Sequence, residues 1–324
     1  MRSGAQYVQY DAAAFDLRLD QGELMAKAAY RALYKLGRRV SNGRLYGTPV
    51  YKGIRAFLRR QLVADEIVET NGYKLVLDRD LSAFDPTMVD TGGPIWEPEM
   101  VEFLSRIVRP GQTVMDLGAE SGYFALLFSR LVGDKGHVYA FEADPVSSAR
   151  IAKSIAINNI RNVTLIAKAV SDRTGKERFY PDGMRGALGY ERFGNRPGID
   201  IDCTTVDDAI PPSAKVSFFK MDIEGSEWRA LKGMKRTLAS CESLITEFLT
   251  PGLRKTGGDP WEYLAALGDA GFTRLFDVDA QRDTSAAELK ERYSKLTPRE
   301  EQQLILNLYC TRENSAKAAV GANR

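Results

Sequence analysis

The stretch Thr113-Val114-Met115-Asp116-Leu117-Gly118-Ala119-Glu120-Ser121-Gly122 decides how the rest of this chain is read. A short apolar run leads into an acidic loop bearing two glycines, and GYFALLFSRLV (122–132) continues as an apolar helix. Strand, glycine turn and helix form the opening unit of an open α/β sheet, where ligands sit beyond the carboxyl ends of the strands. The spacing is DxGxxxG, not the GxGxxG that cradles a dinucleotide pyrophosphate. Glu120 in the loop repels a phosphate, whereas Asp116 and Glu120 attract a ligand carrying an ammonium or a sulfonium, and S-adenosylmethionine carries both.

Downstream, strand and helix patterns alternate. HVYAFEA (137–143) reads as a strand and PVSSARIAKSIAIN (145–158) as a helix with Pro145 in its first turn. VTLIAKAV (163–170) and VSFFKMDI (216–223) are strands, the latter followed by a helix to about residue 239. SLITEFL (243–249) is a strand, WEYLAALGDAG (261–271) a helix, and TRLFDVD (273–279) and LILNLYC (304–310) are two final strands, with a polar stretch between them able to hold its own helix. The pattern predicts a doubly wound, mostly parallel, seven-stranded Rossmann-like sheet covered on both faces, in a domain spanning 97–312. Ahead of it, residues 66–96 are expected to form a β-hairpin, turning at Asn71-Gly72, and a linker. Residues 1–65 read as a basic, amphipathic helical extension and 313–324 as a flexible tail.

Composition narrows the chemistry. The chain has 324 residues, a net charge of +2 and a single histidine, so neither a multi-histidine metal site nor a global nucleic-acid surface is expected. That residue, His137, reads as a strand-entry residue. Cys203, Cys241 and Cys310 are few, odd in number and widely spaced, which suits a reducing, cytoplasmic compartment better than a disulfide framework. No apolar run approaches the roughly 20 residues that cross a bilayer.

Three further clusters belong to the predicted crevice. Glu142 closes the second strand, where a carboxylate can accept hydrogen bonds from both ribose hydroxyls of an adenosine. Ala169 and Val170, after the third strand, are placed to line the adenine. Lys220-Met221-Asp222-Ile223-Glu224-Gly225-Ser226-Glu227 closes another strand; Lys220, Asp222 and Glu224 share one parity in extended chain, and Ser226 reads as the N-cap of the next helix. Glu247 ends the neighbouring strand. The cofactor set so read is Glu97, Asp116, Gly118, Ala119, Glu120, Ser121, Gly122, Tyr123, Glu142, Ala143, Ala169, Val170 and Asp222.

The ordered series Trp96-Glu97-Pro98-Glu99, DLGAESG, FEADP, KAVSDRTGKERF, CTTVDD (203–208), KMDIEGSEWRALKGM and ITEF resembles the FkbM family of class I S-adenosylmethionine-dependent methyltransferases, from about Ile95 to Cys310. Two positions depart from the family: Glu120 stands where asparagine is usual, and Ala143 where proline is frequent. The resemblance implies methyl transfer to a hydroxyl of a sugar, lipid or natural product. In that reading Asp222 contacts cofactor or acceptor, Glu224 is the candidate base with Glu247 behind it, and Lys220 orients these carboxylates. No metal is expected; a magnesium ion on Asp222, Glu224 and Glu247 is the less favoured reading. The alternatives are a methyltransferase-like scaffold without activity, a Rossmann oxidoreductase using NAD, and a methyltransferase acting on protein or RNA.

Two segments bear on the acceptor and on location. The Gly- and Arg-rich stretch 180–200 is expected to loop over the acceptor site, with Arg185, Arg192 and Arg196 meeting phosphate or carboxylate groups. Between Glu23 and Asp65 there are ten basic residues and no acidic one. With its interleaved tyrosines, that run suits an anionic membrane surface, hence a peripheral site at the inner membrane face, better than nucleic acid.

Overall fold

The computed structural model describes residues 65–78, 97–182, 185–189 and 197–313. The basic segment 1–64 therefore lies outside the described residues. A two-stranded antiparallel hairpin comes first, β1 (Asp65–Thr70) and β2 (Tyr73–Asp78), and its turn is Asn71-Gly72, both at positive φ.

The central sheet has eight strands rather than seven. In chain order they are β3 (Thr113–Leu117), β4 (His137–Phe141), β5 (Val163–Ile166), β10 (Phe218–Met221), β11 (Ser243–Phe248), β12 (Arg274–Asp277), β13 (Arg282–Thr284) and β14 (Leu306–Thr311). Their spatial order is β13-β12-β14-β11-β10-β3-β4-β5. Pairing is parallel from β5 through β11, and β14 is wedged antiparallel between β11 and β12. The added strand, β13, is a three-residue polar edge that carries no hydrophobic pattern to betray it.

The expected strand 163–170 divides. A turn closed by the Lys168 amide on the Ile166 carbonyl (2.9 Å) takes the chain out of the sheet. Ala169–Val170 (β6) then joins a second, four-stranded sheet with β7 (Gly175–Asp182), β8 (Arg185–Leu188) and β9 (Ile199–Thr204), in the order β6-β9-β7-β8.

Alternation along the strands sorts side chains onto two faces. Val114, Val138, Phe218 and Ile245 point into a core built with the helices α1 (Pro98–Ile107) and α2 (Tyr123–Val132) and with the hairpin residues Val68, Leu75 and Leu77. Met115, Leu117, Phe219, Met221 and Leu244 point the other way, into a core shared with α5 (Glu227–Lys232), α6 (Lys235–Ser240) and α8 (Pro260–Asp269). The remaining helices are α3 (Pro145–Ile157), α4 (Val206–Ala209), α7 (Thr250–Lys255), α9 (Ala286–Ser294) and α10 (Pro298–Gln303), so the polar stretch before β14 holds two helices and an edge strand. Both halves of the parallel sheet start at β3 and β10 and run outward. The strand order therefore reverses between these two, and open α/β sheets bind their ligands in the crevice outside the carboxyl ends of the strands at such a reversal. His137 enters β4 with its Nε2 2.8 Å from the Thr164 hydroxyl, and burial lowers its pKa.

Candidate active site

The crevice depends on a glycine. Gly118 has φ +89, and a Cβ on it would lie 1.9 Å from the Asp222 carbonyl oxygen, so β3 and β10 approach here as only glycine permits. The Gly118 and Ala119 amides both donate to the Phe141 carbonyl (3.0 and 2.8 Å), folding the loop across the end of β4. Gly122, at φ +82, presses against Ile151 of α3. Glu120 takes φ +50, a left-handed value that glutamate adopts at a cost and asparagine adopts readily. That twist aims its amide at Glu142, whose Oε2 accepts it at 2.6 Å.

Glu142 is buried at the tip of β4. Its other oxygen accepts the Asp144 amide at 2.8 Å. Burial pushes its carboxyl up to about 7, against the pull of these two amides. Asp144 caps α3 by accepting the Val146 amide (2.9 Å), and Ala143 packs on the small sheet. The carboxylate thus stands fixed beside the glycine loop, each oxygen keeping acceptor capacity for a diol.

On the α1/α2 face, register places Asp116 level with Lys220, and Lys220 level with Ile245 of β11. Glu247 lies two residues further along on the same face. Lys220 is only 2% exposed; its Nζ is 2.8 Å from Asp222 Oδ2 and 4.7 Å from the centre of the Phe124 ring. Burial alone would discharge this ammonium, but Asp222, Asp116 and Glu97 outweigh it and raise its pKa. Glu97, at φ +47 ahead of α1, is thereby assigned to this cluster. Asp116 is 1% exposed, with no hydrogen-bond partner on either oxygen. Burial pushes it up to about 7, countered by Lys220 and reinforced by Asp222. The Asp222 side chain is 30% exposed and forms the solvent-facing end of the group.

Beyond Asp222 the strand parity fails. Glu224 (φ +57) and Gly225 (φ +97) turn consecutively left-handed, so Glu224 does not project in line with Lys220 and Asp222. The expected N-cap, Ser226, makes no capping hydrogen bond. Glu227 organises the turn instead: its fully buried carboxylate accepts the Ile223 and Gly225 amides at 3.0 and 3.2 Å, and burial raises it to about 7 despite them. From outside, Gly225 packs on the backbone of Gly252 in α7, and the Thr256 hydroxyl donates to the Gly225 carbonyl at 2.5 Å. Sequence reasoning gave Glu227 no role of its own and did not single out Gly252 or Thr256.

Other expected site residues fall elsewhere. The Tyr123 side chain faces away from the loop, its hydroxyl accepting from the Asn71 side chain of the hairpin at 2.8 Å; only its amide, 3.4 Å from Ser121 Oγ, stays with the glycine loop. Val170 is packed in the larger core and Ala169 in the core of the small sheet. Arg192 and Arg196 lie outside the described residues, and Arg185 is placed only as backbone in β8. Among the described residues no set of three carboxylate, histidine or cysteine side chains converges as metal ligands, so the magnesium reading gains no support.

The donor set fits S-adenosylmethionine: a loop held open by a missing Cβ, a rigid diol acceptor in Glu142, and an excess of carboxylates for a cationic ligand. Residues 116–272 match the methyltransferase FkbM domain family. The chain is similar to the methyltransferase FkbM from Methylobacillus flagellatus KT (17% identity, 91% of this chain and 62% of that one, TM-score 0.40). It is likewise similar to a SAM-dependent methyltransferase from Aquifex aeolicus (18% identity, 70% of this chain and 98% of that one, TM-score 0.37). A protein-L-isoaspartate O-methyltransferase of Ignicoccus hospitalis is 32% identical over 83 residues, 25% of this chain, and the match spans 39% of that relative's length. It is thus residues 116–272, a little under half of the chain, that match a methyltransferase FkbM domain, and S-adenosylmethionine is the cofactor.

Proposed function

We propose that this FkbM methyltransferase domain makes the chain an O-methyltransferase acting on a hydroxyl of a sugar, glycolipid or related natural product. The supporting observation is the Lys220–Asp222 pair at the mouth of the crevice, 2.8 Å apart and directly across from Gly118. The cofactor supplies a methyl group on a cationic sulfur, already activated. What remains for the chain is to hold the acceptor oxygen in line and to take its proton. Glu142 fixes the ribose end, and the Gly118–Gly122 loop fixes the backbone against which the donor lies. Asp222 is the carboxylate that Lys220 holds in one orientation, and it is the one partly open to solvent. It is therefore the group best placed to receive the hydroxyl proton, with Glu224 in the adjoining turn as second candidate and Glu247 further along β11. The cost of burying Lys220 is offset by its carboxylates, as a charge kept for function requires.

Arg229 of α5 bears on the acceptor side. It pairs with Glu177 of β7 (2.9 Å) and with Asp172 (3.3 Å), tying the small sheet to the helix that follows the catalytic turn. In this reading β7 and β8 form the acceptor-side wall. No helix among the described residues is long and apolar enough to cross a membrane. The basic segment between Glu23 and Asp65 would hold the enzyme at an anionic membrane surface near a lipid-linked acceptor. Flotation with anionic liposomes tests that part: protein staying at the bottom, with or without residues 1–65, rules it out.

The activity is tested by comparing glycolipid extracts from cells with and without the gene by mass spectrometry, seeking species that gain one methyl. Radiolabelled S-adenosylmethionine is then supplied to those extracts with wild type or Asp222→Asn. Label entering protein or RNA but no glycolipid would overturn the acceptor class. A thermal shift with NAD but none with S-adenosylhomocysteine would overturn the methyltransferase reading itself.

A further inference from the structure

Asp116 has no obvious use as a direct ligand. It lies inside β3 rather than in the loop, it is 1% exposed, and both of its oxygens lack a hydrogen-bond partner. Three other acids of the site are held: Glu142 by two amides, Glu227 by two amides, and Asp222 by Lys220. Burying an ionised carboxylate in such a place is costly.

The charged groups around it set the balance. From β10 it faces Lys220, level in register, with Asp222 beyond. From the start of α1, Glu97 acts on the same lysine, and at the tip of β4 Glu142 feels the charge of Asp116. On β11, Glu247 lies on the same face, two positions past the residue level with Lys220. Helix α2 offers the Phe124 ring to Lys220, and the Ala125 amide, the smallest of the influences on Asp116, lowers its pKa. The Lys220 charge is already matched by Asp222, so a second negative charge at Asp116 is not compensated until another cation arrives.

We propose that Asp116 is a proton carrier behind Lys220, protonated before the donor binds and discharged to solvent when the cationic donor enters, so that the pocket distinguishes the donor from its demethylated product by charge. The proposal rests on the reading of the crevice as an S-adenosylmethionine site. The donor brings a net charge of one more than the product, because methyl loss turns a sulfonium into a neutral thioether. Entry of the extra positive charge favours Asp116–COO⁻, and the released proton goes to buffer. Departure of the methyl removes that charge, Asp116 takes a proton back, and the product is held less tightly than the donor. Near-neutral titration of the buried carboxyl, at about 7, puts this exchange within the working range of the cell.

The experiment is calorimetry of the full chain at pH 7.0, with S-adenosylmethionine and S-adenosylhomocysteine each titrated in buffers of different ionisation enthalpy. The expected result is that donor binding releases about half a proton more than product binding, and that Asp116→Asn abolishes this difference. The ligands' own amino groups contribute alike to both proteins. The ratio of donor to product affinity should also rise by up to about tenfold per pH unit through the titration in wild type, and stay flat in the variant. An equal proton difference in wild type and Asp116→Asn overturns the proposal. If the variant does not fold, difference infrared spectroscopy of wild type with carboxyl-labelled aspartate decides. A protonated aspartic acid band must disappear on adding donor and persist with product, and its absence before ligand is added refutes the idea. The label excludes Glu142 and Glu227. Failure of either ligand to bind at all would remove the cofactor reading, a different outcome from binding with no proton difference.

Discussion

Gly118→Ala tests the crevice most directly. Two costs add. An alanine at φ +89 occupies left-handed backbone, worth about 1–2 kcal/mol. Its Cβ would also meet the Asp222 carbonyl oxygen at 1.9 Å, and this is backbone that cannot rotate aside. An ordinary contact is about 3.5 Å, so β3 and β10 must part by about 1.6 Å at their carboxyl ends. That movement breaks the bond from the Asp222 amide to the Leu117 carbonyl, now 2.9 Å, and costs about 1–3 kcal/mol more. The total is about 3 kcal/mol, and the strand ends that cradle the donor move by more than an ångström. S-adenosylhomocysteine affinity measured by calorimetry should fall about 100-fold or more, and the urea midpoint should drop. Gly133→Ala is the control: it also has positive φ (+64), but nothing lies within 4 Å of the added methyl. With ψ −173 its backbone is in a region all but reserved for glycine, so it should lose about 1–3 kcal/mol of stability and no affinity. Wild-type affinity and stability in Gly118→Ala, or equal losses in both variants, would refute the close approach of the two strands.

Three further outcomes follow from the same geometry. Glu142→Gln keeps the volume but turns an amide donor towards the Glu120 or Asp144 amide, so S-adenosylhomocysteine should bind about 10- to 100-fold more weakly; unchanged calorimetric affinity would remove Glu142 from the cofactor site. Glu120→Asn relieves the left-handed glutamate and should raise stability by about 0.5–1 kcal/mol in chemical denaturation; destabilisation would show that the Glu120 side chain contributes more than the strain it imposes. Ligand-free protein should lose stability as pH rises from 5 to 7.5. Asp116, Glu142 and Glu227 titrate near 7 when folded and near their ordinary values when unfolded, so the folded state holds the extra protons, and their contribution fades through that window. Carboxyls held low by arginine, such as Glu177 and Glu301, act in the opposite direction but are already ionised above pH 5. Denaturation midpoints that rise steadily over this range would contradict the buried protonated carboxyls.

The parts of the site legible in the sequence are those set by local rules. Strand parity alone puts Asp116 and Lys220 on one face, because Val114 and Phe218, two residues earlier in each strand, are core residues of that face. The glycines of the loop and the acid at the tip of β4 follow from turn chemistry and the length of a βαβ unit. What was not legible depends on backbone turns without a sequence signature or on partners distant in sequence. Glu227 reads as a helix-terminal acid until the left-handed pair Glu224-Gly225 brings two amides onto it. Thr256 and Gly252 have no signature at all; they matter because α7 lies against Gly225. The departure of the chain from the sheet after Ile166 involves neither glycine nor proline, so residues 163–170 look continuous. Tyr123 follows the glycine loop in sequence, yet its side chain packs in the core with the hairpin and meets Asn71, 52 residues away.

The position of β14 has a consequence for biogenesis. It pairs with β11 along six residues on one side and with β12 on the other, so β11 keeps an open outer edge and β12 has no link to the rest of the sheet until residues 306–311 exist. During synthesis at about 5–20 residues per second, the cofactor-side strands β3, β4, β5 and β10 can assemble seconds before this wedge leaves the ribosome. In that interval Leu244, Ile245 and Phe248 stand on an open strand edge beside the catalytic turn. A nascent chain stalled there is an exposed template for wrong pairing, and its rescue by chaperones should depend on whether residues 304–313 have emerged.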